Sequence, residues 1–239
     1  MVRPFRAAFA AAAAATVFGA VTGRDRWQWA AKPLLMPLLA ADLVHGGADV
    51  APADRRVLLG ALGAATAGDV LLIDPDDDRR LIAGASAFAV MQTGYAVLWR
   101  RRGARPLPQV ALPRVAAWLG AAALLRAKAP NLALPLTAYG ATLGTAAVLA
   151  SDPALAPGSE NIAGTTIPGP DPRSRLALGA LLFTASDGLI VLRRLFAHSA
   201  RSRRLTEGVI LTTYAAAQYL LTDPRVHTTR HTARATPLA

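Results

Sequence analysis

Two aspartates stand inside apolar segments of this chain, and carboxyl groups in such places can do chemistry. Asp187 sits in GALLFTASDGLIVLRRLF (179–196) and carries the one charge between Leu176 and Leu192. Asp69 lies about a turn from the end of VLLGALGAATAGDVLLI (57–73). An ionised aspartate in hydrocarbon costs about 2.5–3.5 kcal/mol or more, so its retention points to a use. Two carboxyl groups close together in a medium of low dielectric titrate apart, and one can stay neutral while the other ionises. Such a pair can protonate a substrate and stabilise a developing oxocarbenium ion. The sequence does not say which aspartate would take which part.

Further polar groups interrupt other apolar segments: Lys32, Gln92, Tyr95, Tyr139, Glu207, Tyr214 and Gln218. On a helix Phe88, Gln92 and Tyr95 share a face, as do Glu207, Tyr214 and Gln218, and Pro135 and Tyr139. A structural reading stands beside the chemical one. A tyrosine can mark the membrane interface, and a glutamine can bridge helices for about 0.6 kcal/mol. Asp187 has no such local excuse, because Arg193, six positions on, is off its face.

The elements that must position these groups follow from composition. Of 239 residues, 53% are hydrophobic and 17% charged, and the mean hydropathy is +0.33. Soluble domains carry about 25% charged residues. The expected fold is all-α, a polytopic transmembrane helical bundle of about eight spans near 7–22, 27–44, 57–73, 81–99, 110–125, 132–150, 176–192 and 207–221. Residues 1–222 form one bundle in this reading, and 223–239 a polar, disordered tail. The net charge of +11 lies in short clusters such as Arg100–Arg102 and Arg203–Arg204, between apolar runs. Clusters of that kind meet lipid headgroups, so the expected partner is the bilayer and not nucleic acid. There is no cysteine, which excludes disulfides, a thiol nucleophile and thiolate metal sites.

The first apolar run follows Arg3 and Arg6 and reads as a retained helix rather than a cleaved signal peptide. Trp27 and Trp29 suit an interfacial belt, Lys32 can snorkel, and Pro33 and Pro37 should kink the second span. Asp42 is expected to face water. DPDDDRR (74–80) reads as a solvated turn, since no EF-hand spacing is present. Residues 151–172 read as one long mobile loop. His227 and His231 are four apart, but a Thr- and Arg-rich tail is a poor metal site. No cofactor and no metal is called for, and oligomeric state is not legible. Lys and Arg divide almost evenly between the two sides; cytoplasmic termini in a bacterial cell membrane are the working assignment. Gly-x-Ser-x-Gly and His-Glu-x-x-His are both absent, which disfavours a serine-hydrolase elbow and a zincin.

Several short motifs occur together: Lys32-Pro33-Leu34-Leu35, Ala67-Gly68-Asp69-Val70-Leu71-Leu72, Phe88 with Tyr95, Pro135 with Tyr139, Gly179 to Phe183 with Ser186-Asp187, and Tyr214 with Gln218. In that order, over residues 27–222, the chain resembles the YhhN family of integral membrane proteins, which includes the lysoplasmalogenases. The resemblance implies hydrolysis of the vinyl-ether bond of a lysophospholipid, the lysoplasmalogen, to a fatty aldehyde and a glycerophospho-base. It implies Asp69 and Asp187 as catalytic residues, with Lys32, Gln92, Tyr95, Tyr139, Tyr214 and Gln218 about the substrate. Lys32 would hold the phosphate or pair with an aspartate. The family commonly has His where this chain has Gln92, and glutamine takes up no proton near neutral pH. The competing expectation is a transporter or structural membrane protein that uses the same buried acids.

Overall fold

Proline punctuates this chain in a way that sets its helices. Pro4, Pro52, Pro108, Pro130 and Pro224 each open a helix, where the missing N–H is one the helix would leave unbonded in any case. The computed structural model describes residues 3–74, 76–162 and 164–227. In chain order the helices are α1 (Pro4–Thr22), α2 (Asp25–Ala31), α3 (Leu35–Gly46), α4 (Pro52–Leu71), α5 (Asp78–Arg101), α6 (Pro108–Lys128), α7 (Pro130–Ala150), α8 (Arg175–Phe196), α9 (Ala200–Leu221) and the short α10 (Pro224–His227). The fold is an all-α bundle. Among the described residues five helices are long and apolar enough to cross a membrane: α1, α5, α6, α7, and α8 together with the turn before it. The expected count of eight is not reached by that measure. The helices α4 and α9 are long, but they carry Asp54, Arg55 and Arg56, or Arg201, Arg203, Arg204 and Glu207, at one end.

The expected second span is not one helix. Pro33 interrupts it, and Lys32–Leu34 form a 3-10 turn between α2 and α3. Pro37 produces no second kink, because the helix restarts at Leu35 and Pro37 falls in its first turn, where no backbone donor is needed. Asp42 does not face water. It is 2% exposed and pairs with Arg6 at 2.8 Å and Arg3 at 3.3 Å, so the two arginines at the head of α1 clamp it to α3. At the other end of α1, Gly23 takes φ 69, the left-handed cap that glycine adopts without strain.

The core lies where α3, α4, α5, α8 and α9 meet, around Leu35, Met36, Leu62, Met91, Trp99 and Phe183. One close approach matters for the site. A Cβ on Gly68 would sit 2.7 Å from the Phe88 ring. That ring is packed edge-on against Phe183 at 6.0 Å and Tyr214 at 5.8 Å, so it can move only by disturbing both contacts. Gly68→Ala should therefore destabilise the protein by about 1–3 kcal/mol. The thermal midpoint in detergent reads this, and an unchanged midpoint would show the ring has room. By contrast, Leu112, Leu119 and Leu134 are 68%, 55% and 81% exposed on α6 and α7, as helices facing lipid tails require.

The 151–172 segment is more ordered than a plain loop. It holds a two-stranded antiparallel hairpin, β1 (Glu160–Ile162) and β2 (Thr165–Ile167). The start of the expected disordered tail is also structured. His227 of α10 is buried, its Nε2 bonded to the Leu221 carbonyl at 2.6 Å and its Nδ1 to Arg102 at 2.8 Å. His231 lies outside the described residues. Burial, with the Arg102 charge beside it, pushes His227 down from 6.5 to about 3. The unfolded chain then binds a proton below about pH 6.5 that the folded one refuses until about pH 3. Stability should therefore fall as pH drops through that window. His227→Gln, which keeps a donor and an acceptor, should flatten the fall; equal acid sensitivity of both proteins in thermal melts would refute this.

The acidic turn is not simply solvated. Asp76 accepts from Arg193 at 3.0 Å and Arg203 at 2.9 Å, and Asp78 pairs with Arg194. Asp77 caps α5 through Arg79 N and Arg80 N. Burial opposes ionisation of Asp76, but the Arg193 hydrogen bond and the charges of Arg193, Arg203 and Arg194 outweigh it and hold the carboxyl below its usual range. The turn thus ties the head of α5 to the tail of α8. Among the described residues no group of three or more His, Cys, Asp or Glu is gathered as a metal would need.

Candidate functional site

Asp69 and Asp187 line one small cavity of about 40 Å³. The last turn of α4 brings Asp69 to it, and Gly68 beside it lets α5 come close. Asp69 is 1% exposed and accepts a 2.9 Å hydrogen bond from the Tyr214 hydroxyl of α9. Lys32, at the break before α3, donates to the Leu72 carbonyl at 2.7 Å, and its charge acts on Asp69. The middle of α8 supplies Asp187, which accepts from the Tyr139 hydroxyl of α7. Ser186 donates to the Ile210 carbonyl at 3.0 Å and also faces the cavity. Arg193 and Glu207, paired with each other at 3.1 Å, complete the polar wall. Leu72, Phe88, Ile190, Ile210 and Leu211 make most of its wall apolar, but the polar groups that converge on it give an ordered water its partners.

A second cavity of about 260 Å³ lies between α5, α6, α7 and α8. Its lining is apolar apart from Arg114, Thr137, Tyr139, Thr184, Asp187 and Arg194. Leu72, Phe88, Asp187 and Ile190 line both cavities. Asp187 is thus the acid on a wall shared by the small cavity that Asp69 also lines and a larger apolar one.

The other nominated residues stand behind these walls. Tyr95 donates to Gln218 Oε1 at 3.0 Å, and Gln218 reaches the Tyr214 hydroxyl at 3.5 Å and Met91 Sδ at 3.1 Å. The pair braces Tyr214 and lines neither cavity. Gln92 lies against the Tyr139 hydroxyl, and its buried Nε2 completes no hydrogen bond. It too backs a wall residue. Sequence reasoning missed Arg193 at the site, having placed it off the Asp187 face. It also passed over Arg114, although an arginine within an apolar segment is the same signal that marked Asp187.

The sequence model of the YhhN family matches residues 27–224. This chain belongs to the YhhN family. The match takes in every residue named above around the small cavity, from Lys32 to Tyr214, and leaves out the whole of α1. With its five apolar helices, this YhhN protein is a membrane protein. No curated protein and no solved structure matches the chain.

Proposed function

We propose that this YhhN protein is an integral membrane hydrolase that cleaves the vinyl-ether bond of lysoplasmalogens, releasing a fatty aldehyde and a glycerophospho-base. The observation that carries this reading is the placing of Asp187 on the wall common to the two cavities. A lipid chain in the large apolar cavity meets an acid there, and water in the small cavity reaches the same point from behind.

The steps follow from which acid faces which space. Asp187, protonated, delivers its proton to the vinyl β-carbon, and the α-carbon becomes an oxocarbenium centre. The Asp187 carboxylate left behind stabilises that cation. Asp69 faces only the small cavity. It takes a proton from water as the oxygen adds to the α-carbon, giving a hemiacetal. Asp69 then returns a proton to the ether oxygen as the carbon–oxygen bond breaks. The hemiacetal hydroxyl proton passes to Asp187, and both acids are restored. Tyr139 and Tyr214 each hold one carboxyl oxygen and leave the second for substrate or water. Lys32 supplies charge to Asp69 rather than to the lipid phosphate, since it does not border the large cavity. With glutamine at position 92, the two aspartates carry every proton step.

Purified protein in detergent should release aldehyde from a 1-alkenyl lysolipid and none from the 1-alkyl ether, which lacks the double bond. No ion gradient is needed. Absence of aldehyde across a panel of headgroups, with gradient-coupled uptake into vesicles, would replace the hydrolase by a transporter.

A further inference from the structure

Arg114 stands inside α6, borders the large cavity, and has no carboxylate partner among the described residues. Its Nη1 donates to the carbonyls of Val110 and Gly164, both at 3.0 Å, and its Nη2 to the Ser151 hydroxyl at 3.3 Å. These contacts solvate the guanidinium without cancelling its charge. The arginine at the far end of the cavity is different, because Arg194 pairs with Asp78 and donates to the Asp76 carbonyl at 2.6 Å. An uncompensated cation inside a membrane helix marks a functional site, and a guanidinium fork suits phosphate oxygens. An apolar cavity with one such cation at its edge fits an anionic amphiphile.

We infer that Arg114 is the phosphate anchor of the large cavity, gripping the headgroup of a single-chain phospholipid whose tail runs the other way, past Leu136, Leu132 and Leu125. The inference rests on the reading of this cavity as a lysolipid site. Spacing supports it. Ser151, the partner of Arg114, bonds the Ala147 carbonyl, and Tyr139 bonds Asp187. From residue 139 to 147 the helix α7 rises about 12 Å. In a lysoplasmalogen seven bonds separate the vinyl β-carbon from phosphorus, a reach of about 9 Å when three bonds span about 3.8 Å. A hydrogen bond of about 3 Å to the guanidinium closes the interval. With phosphate on Arg114, the bond to be cleaved therefore falls beside Asp187. The opposite polarity would bring the phosphate to an arginine whose charge is already matched.

The test is binding, with no bond to cleave. The thermal midpoint of the full chain in detergent is titrated with a 1-alkyl lysophospholipid, with a 1-alkylglycerol of equal chain length, and with inorganic phosphate. Wild type should bind the phospholipid about tenfold or more tightly than the alkylglycerol, and inorganic phosphate should protect little. Arg114→Gln should erase the preference, and Arg114→Lys should keep part of it. The inference is overturned if wild type shows no phosphate preference, if Arg114→Gln keeps it, or if inorganic phosphate protects as well as the lipid. The wild-type comparison stands even where a variant does not fold. Phosphate-dependent binding without aldehyde release from alkenyl lipids would sink the hydrolase reading and keep the anchor. Aldehyde release without phosphate preference would do the reverse.

Discussion

Asp187→Asn should lower aldehyde release by about 10²–10⁴-fold, the range expected when a positioned proton donor is removed. The amide matches the carboxyl in shape and can still accept from Tyr139, so the fold should survive and the thermal midpoint should stay near that of wild type. Binding of a non-cleavable alkyl lysolipid should also persist, because the large cavity keeps its shape. Loss of turnover with intact binding separates a role in chemistry from a role in packing. A folded Asp187→Asn protein with full activity would remove the proposed acid and the mechanism with it.

Asp69→Asn should cost about 10²-fold or more in rate, as the loss of a general base does. Here stability should fall as well. Lys32 is 4% exposed, and Asp69 supplies the negative charge that acts on it. Removing that charge leaves the buried ammonium with only the Leu72 carbonyl as a partner among the described residues, so the thermal midpoint should fall. Adding Lys32→Met to Asp69→Asn should restore most of the thermal midpoint and none of the activity. A double variant as unstable as the single one would show that Lys32 does not depend on Asp69. The two aspartates should thus differ in a measurable way: Asp187→Asn should spare the fold, and Asp69→Asn should not.

Both acids were legible from sequence because a carboxyl group in an apolar run stands out whatever the tertiary structure does. Their meeting was not. It depends on how α4 and α8 are rotated about their axes, which is decided by packing against α5 and α9. Arg193 illustrates the limit. At six residues it lies about 120° round the helix from Asp187, yet it lines the same cavity, since Glu207 and Asp76 draw its long side chain inward. Asp42 reads as a solvent-facing residue in its own segment, because its partners Arg3 and Arg6 lie more than thirty residues earlier. Pro33 announced its break, whereas Pro37 was harmless once the helix restarted two residues before it. The hairpin between Glu160 and Ile167 has strands of three residues, too short for an alternating pattern to show. Arg114 escaped notice because its partners are a carbonyl of its own helix, the Gly164 carbonyl and one hydroxyl, which leave no complementary charge in the sequence to search for.

The wall that Leu72, Phe88, Asp187 and Ile190 share bears on what happens after the bond breaks. One face of it borders the apolar cavity and the other the small cavity with Asp69, Lys32, Arg193 and Glu207, so the proposed cleavage at Asp187 would take place on a boundary fixed within the protein. Each fragment is then more soluble on its own side: the aldehyde in the bilayer, the glycerophospho-base in the aqueous phase. Reactants held together by one bond become products with no common solvent, and partition opposes their recombination. In reconstituted vesicles the aldehyde should sediment with the lipid while the phosphorylated fragment stays in the supernatant.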